Sequence, residues 1–204
     1  RVADGLPRNL LLALPAARRL ATETLRGGRF ALDYLSGRRD VDQDRIILLG
    51  VSFGGFFMTA LAAGDPRPDV VVLIYGGGDL PYLARHNLRQ RPWWVPDWLL
   101  GLLARTIFGD LEPLRHAERF ALRYFLMVNS RRDEMFPATS ALALFNRARL
   151  PKKLIWYETG HMNLFDRALI RDLTREVVAE LRAAGVLAGG PAPRQVGHGG
   201  LATE

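Results

Sequence analysis

The sequence RIILLGVSFGGF at residues 45–56 joins an unbroken apolar run to a glycine-rich turn. A continuous run of Ile and Leu is typical of a strand that is buried on both faces of a parallel sheet. The mostly apolar residues 56–63, which follow the turn, have the composition of a helix. We therefore expect a strand, a tight turn and a helix, with Ser52 on the turn.

Ser52 stands in a G-x-S-x-G pattern between Gly50 and Gly54. In this context a sharp strand-to-helix turn exposes the serine hydroxyl at the carboxyl edge of the sheet. We predict that Gly50 and Gly54 let the strand and the helix pass closely, and that Ser52 is a nucleophile. The N–H of Phe53, at the start of the helix, would then stabilise an oxyanion held over Ser52. The alternative is an ordinary glycine-rich turn.

Three further apolar runs predict three more buried strands. They lie at residues 70–75, 124–128 and 154–157, and a helix is predicted at 15–35, ahead of the first strand. Helical or irregular sequence separates these runs. Strands that alternate with helices favour an α/β fold with a mostly parallel sheet and helices on both faces.

Two of these strands are followed by the partners that a serine nucleophile needs. A serine hydroxyl requires a base, and that base is oriented by a carboxylate. Asp133 follows the third predicted strand, and His161 follows the fourth. Because parallel strands end at the same edge of a sheet, we expect Ser52, Asp133 and His161 to meet there.

Other polar residues near these strands have alternative interpretations. Asp79 follows the second predicted strand and is the second candidate for the acid. Glu134 is expected to point away from Asp133 and to be salt-bridged or solvated. His86 and His116 are expected to make ordinary surface or core hydrogen bonds.

Residues 79–119 are too long for an ordinary connection and contain Trp93, Trp94 and Trp98. Apolar residues between positions 98 and 107 fit a short amphipathic helix. We interpret this segment as an inserted lid whose tryptophans border the entrance to Ser52 and bind apolar parts of a substrate. A helix that packs on the body of the protein is an equal alternative.

The composition of the 204-residue chain excludes several classes of site. It contains no cysteine, which rules out disulfides, thiolate metal sites and a cysteine nucleophile. The net charge of +7 comes mainly from scattered arginines, so nucleic-acid binding is not expected. No His and carboxylate cluster has the spacing of metal ligands, and no glycine-rich phosphate loop follows a strand. We therefore expect no cofactor and no metal.

The sequence says little about the cellular location. No apolar run approaches the ~20 residues that span a bilayer, so a transmembrane segment is not expected. No targeting segment is visible, and the compartment stays undecided with a cytoplasmic location slightly favoured. The oligomeric state is also undecided.

These motifs resemble those of the α/β-hydrolase superfamily, in particular its dienelactone hydrolase-like and prolyl-oligopeptidase-like esterase branches. The resemblance covers residues 16–187 and includes residues 41–46 before the turn. Asp133 with Pro137 four residues later resembles the acid loop of the family, and Gly160 followed by His161 resembles its histidine loop.

The resemblance implies a function as well as a fold. It implies a serine hydrolase that cleaves a carboxylic ester or related acyl bond of a small molecule through an acyl-enzyme, with Ser52, Asp133 and His161 as the triad. The alternatives are a serine peptidase of the prolyl-oligopeptidase type and a non-catalytic binding protein with this fold.

Two departures from the family pattern stand out. Ser130 occupies a position where the acid loop usually has glycine. The first strands of the family and its oxyanion loop have no counterpart, and residues 10–14 are the single possible substitute for the strand beside 45–49. We therefore expect residues 1–187 to form one α/β-hydrolase domain that is incomplete at its N-terminus, and residues 188–204 to form a disordered tail.

Overall fold

A computed structural model describes residues 8–89, 95–163 and 165–187. Within them, four strands form a parallel sheet in the order β1-β2-β3-β4. The strands are β1 (Ile46–Val51), β2 (Pro68–Ile74), β3 (Tyr124–Ser130) and β4 (Lys152–Tyr157). Each of the four predicted strands is present, and the predicted α/β fold with a parallel sheet is confirmed.

One helix precedes the first strand, and the others lie between or after the strands along the chain. They are α1 (Arg8–Ser36), α2 (Gly54–Gly64), α3 (Leu80–Asn87), α4 (Asp97–Phe108), α5 (Pro113–Ala117), α6 (Ala138–Arg147) and α7 (Arg167–Ala183), with a short 3₁₀ helix at Gly109–Leu111. None of the helices in the described ranges has the length and apolar character needed to cross a membrane.

The chain divides into two compact units, Arg1–Asn163 and Leu164–Glu204. The first unit contains the sheet and helices α1 to α6. The second contains α7, which begins where the Asp166 carboxylate accepts the N–H of Leu169 at 3.0 Å. Residues 188–204, the predicted disordered tail, lie outside the described residues.

The core of the first unit lies on both sides of β2 and β3. Val70, Val71 and Val72 are 0% exposed, and Leu73 is 1% exposed. Because successive side chains of a strand point to opposite faces, burial of consecutive residues means that both faces are covered. The outer strands of the described sheet are β1 and β4, and Leu49 on β1 is 51% exposed.

Helix α1 is longer than the sequence predicted. It begins at Arg8 rather than at Pro15, and Pro15 lies inside it. Residues 10–14 are helical, so the one segment that could have replaced the strand beside β1 does not do so. Proline lacks one hydrogen-bond donor, but a helix can continue past it with a local kink. Gly28 marks a close approach of α1 to α2, since an added Cβ would lie 2.5 Å from the Leu61 side chain.

The turn between β1 and α2 is tight at one glycine and not at the other. A Cβ added to Gly50 would lie 2.7 Å from the Cα of Gly55, a distance that backbone atoms cannot accommodate without a shift. A Cβ added to Gly54 would meet nothing within 4 Å. The prediction that Gly54 is needed for close passage is therefore wrong. Gly55 is the glycine that faces Gly50.

This difference predicts opposite effects of one substitution at two neighbouring glycines. Gly50→Ala should lower the free energy of unfolding by about 1–3 kcal/mol, because the methyl group collides with the backbone of α2. Gly54→Ala should leave it unchanged or raise it by up to about 1 kcal/mol, because alanine favours the helix. Urea unfolding followed by circular dichroism measures both, and equal effects would contradict the contact at Gly55.

Candidate active site

Ser52 lies at the end of β1 in an unusual backbone conformation. Its φ is 51°, in the left-handed region that residues other than glycine seldom adopt. Its N–H donates to the carbonyl of Ile74 on β2 at 2.8 Å, and its carbonyl accepts from Gly55 at 3.0 Å. The sheet on one side and the first turn of α2 on the other hold the serine in this strained geometry.

The structure brings the three predicted side chains into one hydrogen-bonded chain. Ser52 Oγ lies 3.0 Å from His161 Nε2. His161 Nδ1 lies 2.9 Å from Asp133 Oδ2 and 3.0 Å from Oδ1. Since an ionised carboxylate can only accept, Nδ1 carries the proton, and Nε2 is left to accept the hydroxyl hydrogen of Ser52.

The Asp133 carboxylate is held by the loop that follows β3. Its Oδ1 accepts the N–H groups of Met135 and Phe136, each at 2.8 Å. The side chain of Asp133 has 0% exposure, and that of His161 has 14%. A buried carboxylate needs such charge-assisted hydrogen bonds to offset its lost hydration. The loop therefore presents a rigid acceptor to the imidazole.

Two aromatic rings position the imidazole of His161. The ring of Phe136 stacks on it with centroids 5.8 Å apart and an interplanar angle of 22°. The ring of Tyr75 meets it edge-on, at 5.7 Å and 87°. The imidazole plane is thus set by packing as well as by its hydrogen bond to Asp133.

Glu134 has a role that the sequence did not reveal. Its Oε2 accepts the backbone N–H of His161 at 3.0 Å. Hydrogen bonds from its own backbone N–H and from that of His161 hold the pKa of the Glu134 carboxyl below its usual value. Glu134 is exposed, as expected, but its carboxylate binds the histidine loop instead of a cation. The position of Glu134 directly after Asp133 in the sequence does not indicate this contact.

Ser130, the departure from the family's glycine, connects the same two loops. Its hydroxyl oxygen accepts the N–H of Thr159 at 2.9 Å and that of Arg132 at 3.3 Å. The carbonyls of Tyr157, at 3.1 Å, and of Thr159 both lie within reach of the one hydroxyl hydrogen. The side chain that replaces glycine therefore links the end of β3 to the loop that carries His161.

The other candidate residues take structural positions. Asp79 has a φ of 64°, and its carboxylate accepts the N–H of Tyr82 at 3.0 Å, so it caps the start of α3. His86 Nε2 lies 2.8 Å from the carbonyl of Glu134, and His116 Nε2 lies 2.9 Å from that of Asp110.

The N–H of Phe53 lies at the start of α2, beside Ser52. In the described part of the chain this N–H has no hydrogen-bond acceptor, and no side chain caps α2. The first N–H groups of a helix are unsatisfied donors that attract negative charge. The position suits an oxyanion donor, and this role of Phe53 stays a prediction.

A cavity of about 430 Å³ opens beside Ser52. Residues of α2, α3, α4 and the Asp133 loop line it, and among them only Ser52 and Asn87 carry polar side chains. Trp98 lies on α4, is 68% exposed and is not among the lining residues, so the structure does not bring it to Ser52. Trp93 and Trp94 lie outside the described residues. Among the residues described, no cluster of three or more His, Asp or Glu could hold a metal ion.

Comparisons with known proteins identify the family of the chain. The profile of the prolyl oligopeptidase family matches residues 17–163. A search of curated proteins finds no match.

Solved structures share the fold at low sequence identity. Acetyl xylan esterase 1 from Thermoanaerobacterium sp. JW/SL YS485 is 20% identical with a TM-score of 0.53, and the match covers 82% of this chain and 52% of that one. The acetyl xylan esterase from Paenibacillus sp. R4 is 22% identical with a TM-score of 0.56, over 78% of this chain and 52% of that one. Est1E from Butyrivibrio proteoclasticus is 18% identical with a TM-score of 0.59, over 78% and 70%.

The chain thus spans about half the length of the two acetyl xylan esterases. The family profile covers well over half of this chain, in the part that holds β1 to β4 and the hydrogen-bonded Ser52, Asp133 and His161. The predicted resemblance is confirmed: the chain belongs to the prolyl oligopeptidase family and has the α/β-hydrolase fold.

Proposed function

We propose that this protein is a serine hydrolase that cleaves a carboxylic ester or a related acyl bond of a small molecule. The observation that carries the proposal is the hydrogen-bonded chain from Ser52 Oγ through the His161 ring to the buried Asp133 carboxylate. A serine hydroxyl that faces an oriented imidazole is an activated nucleophile. The family match and the esterases among the structural neighbours support the same conclusion.

The geometry suggests a two-step reaction. Ser52 Oγ attacks the carbonyl carbon while His161 Nε2 accepts the hydroxyl proton, and the Phe53 N–H donates to the developing oxyanion. His161 then protonates the leaving alcohol, which departs and leaves an acyl ester on Ser52. Water attacks this ester with His161 as the base, and the carboxylic acid and free Ser52 result. Asp133 stabilises the imidazolium in both steps.

A peptide bond is the second candidate substrate, because the family match favours it. The same three residues cleave esters and amides, and the choice depends on the binding surface. The apolar cavity beside Ser52 favours an ester with an apolar substituent. A panel of p-nitrophenyl esters and aminoacyl anilides separates the two, and failure to react with a fluorophosphonate probe would indicate a non-catalytic protein.

Replacement of the nucleophile gives the first functional prediction. Ser52→Ala should lower kcat for p-nitrophenyl esters by a factor on the order of 10⁶, as loss of a triad serine does in other hydrolases. The melting temperature should not fall, because the substitution removes one oxygen from a site next to a cavity. Residual activity above about a tenth of the parent's would exclude Ser52 as the nucleophile.

A pair of matched amide substitutions tests the acid. Asp133→Asn should lower kcat by roughly 10⁴-fold, because an amide no longer holds His161 in the tautomer that accepts the Ser52 proton. Asp79→Asn should leave kcat within about threefold of the parent, because asparagine also caps helices and tolerates a positive φ. Steady-state kinetics with one ester measure both, and the reverse order would assign the acid to Asp79.

The base predicts the pH dependence of the reaction. His161 must be neutral to accept the Ser52 proton, so kcat/KM should fall on the acid side as the imidazole is protonated. If the decline in kcat/KM reports catalysis alone, the free energy of unfolding should show no parallel decline over the same pH range. A flat rate profile between about pH 5 and 9 would show that no histidine acts in the rate-limiting step.

A further inference from the structure

We propose that the cavity beside Ser52 is an acyl pocket that selects esters of medium-chain fatty acids over acetate esters and over polar acids. The inference rests on the proposed function, since it names the acyl group that Ser52 would accept. The volume of the cavity is about 430 Å³. At roughly 30 Å³ for each water molecule, this is the space of about fourteen waters, far more than a two-carbon acyl group fills.

The position of the cavity relative to His161 indicates which part of the ester it holds. Ser52 and Phe53 line the cavity, whereas His161 does not. The leaving oxygen must lie beside His161 Nε2 in order to take its proton. The alcohol therefore leaves on the histidine side, and the acyl chain is the part that extends into the cavity.

The walls are apolar and partly aromatic. Phe53, on the nucleophile turn, packs edge-on against Phe56 at 5.1 Å and against Phe108 at 6.3 Å between ring centroids. Leu103 and Ile107, one turn apart on α4, line the cavity together with these rings. Such walls stabilise a hydrocarbon chain through the area that it removes from water.

The polar group in the wall offers little to a polar acid. Both contacts of the Asn87 amide nitrogen are made within the protein, to the carbonyls of Leu83 and Met135 at 3.0 Å each. A hydroxylated or charged acyl group would lose its hydration without gaining a partner from the leucine and phenylalanine side chains. The cavity therefore discriminates against sugar acids and dicarboxylates.

The segment from residue 79 to residue 119 takes part in this selection. Its helices α3 and α4 pack against each other and provide one wall of the cavity, through side chains such as Leu83 and Leu103. The exposed Trp98 is on another face of α4. Specificity therefore depends on the leucines of α4 rather than on its tryptophan.

The test compares two ester series on the purified protein. In the first, p-nitrophenol is constant and the acid is acetate, butyrate or octanoate. Each buried methylene is worth roughly fourfold in affinity, so kcat/KM should rise at least about tenfold from acetate to octanoate. In the second, acetate is constant and the alcohol is lengthened, and kcat/KM should change by less than about threefold. Length dependence in the second series alone would overturn the assignment to the acyl group.

Two tryptophan substitutions locate the effect on α4. Leu103→Trp fills the cavity and should lower the octanoate-to-acetate ratio of kcat/KM at least about tenfold. Leu102→Trp is the matched control, because Leu102 is 52% exposed and does not line the cavity, and its ratio should stay within about twofold of the parent's. An unchanged ratio in a folded Leu103→Trp protein would overturn the proposal.

A binding measurement separates this proposal from the proposed function. In the Ser52→Ala variant, 2-decanone should raise the melting temperature and acetone at the same concentration should not, because a ligand that binds the folded state stabilises it. Turnover of acetate without preference for octanoate, and without a 2-decanone effect, would leave the hydrolase and remove the acyl pocket. A 2-decanone effect with no turnover of any ester would leave the apolar pocket and remove the hydrolase.

Discussion

The approach of Gly50 to Gly55 is the contact on which the candidate active site depends. With no side chain at Gly50, the first turn of α2 lies directly against the end of β1. The chain between them must turn so sharply that Ser52 adopts a φ of 51°. The same geometry places the N–H of Phe53, which has no acceptor among the residues described, beside Ser52. The absence of a side chain at Gly50 therefore positions both groups that we propose as nucleophile and oxyanion donor.

The parallel sheet supplies the remaining parts by ending its strands at one edge. The loops after β3 and β4 carry Asp133 and His161, and hydrogen bonds to Ser130 Oγ and to Glu134 Oε2 join those loops. In both contacts the donor is a backbone N–H group, so the contacts hold the backbone of the histidine loop in place. With its loop held in this way, His161 would need little rearrangement to act as the base that we propose.

Local pattern was enough to predict the four strands and the residues that end them, because a buried parallel strand reads as an uninterrupted apolar run. Local pattern did not predict contacts that depend on the three-dimensional structure. Gly54 and Gly55 are indistinguishable in sequence, and only the position of Gly50 shows which one faces it. The link from Glu134 to His161 spans 27 positions and leaves no periodic signal. On α4, the aromatic composition suggested that Trp98 lines the substrate site, whereas leucines of that helix face the cavity.

Phe136 belongs to three parts of the site at once. Its N–H binds Asp133, its ring stacks on His161, and the same ring forms part of the cavity wall. A molecule that fills the cavity therefore contacts the residue on which the imidazole stacks. In the hydrolase that we propose, restricting Phe136 would narrow the range of orientations open to His161, so contacts remote from the reacting carbonyl would contribute to the turnover rate as well as to affinity. Under this proposal, recognition of the substrate and alignment of the base depend on one side chain.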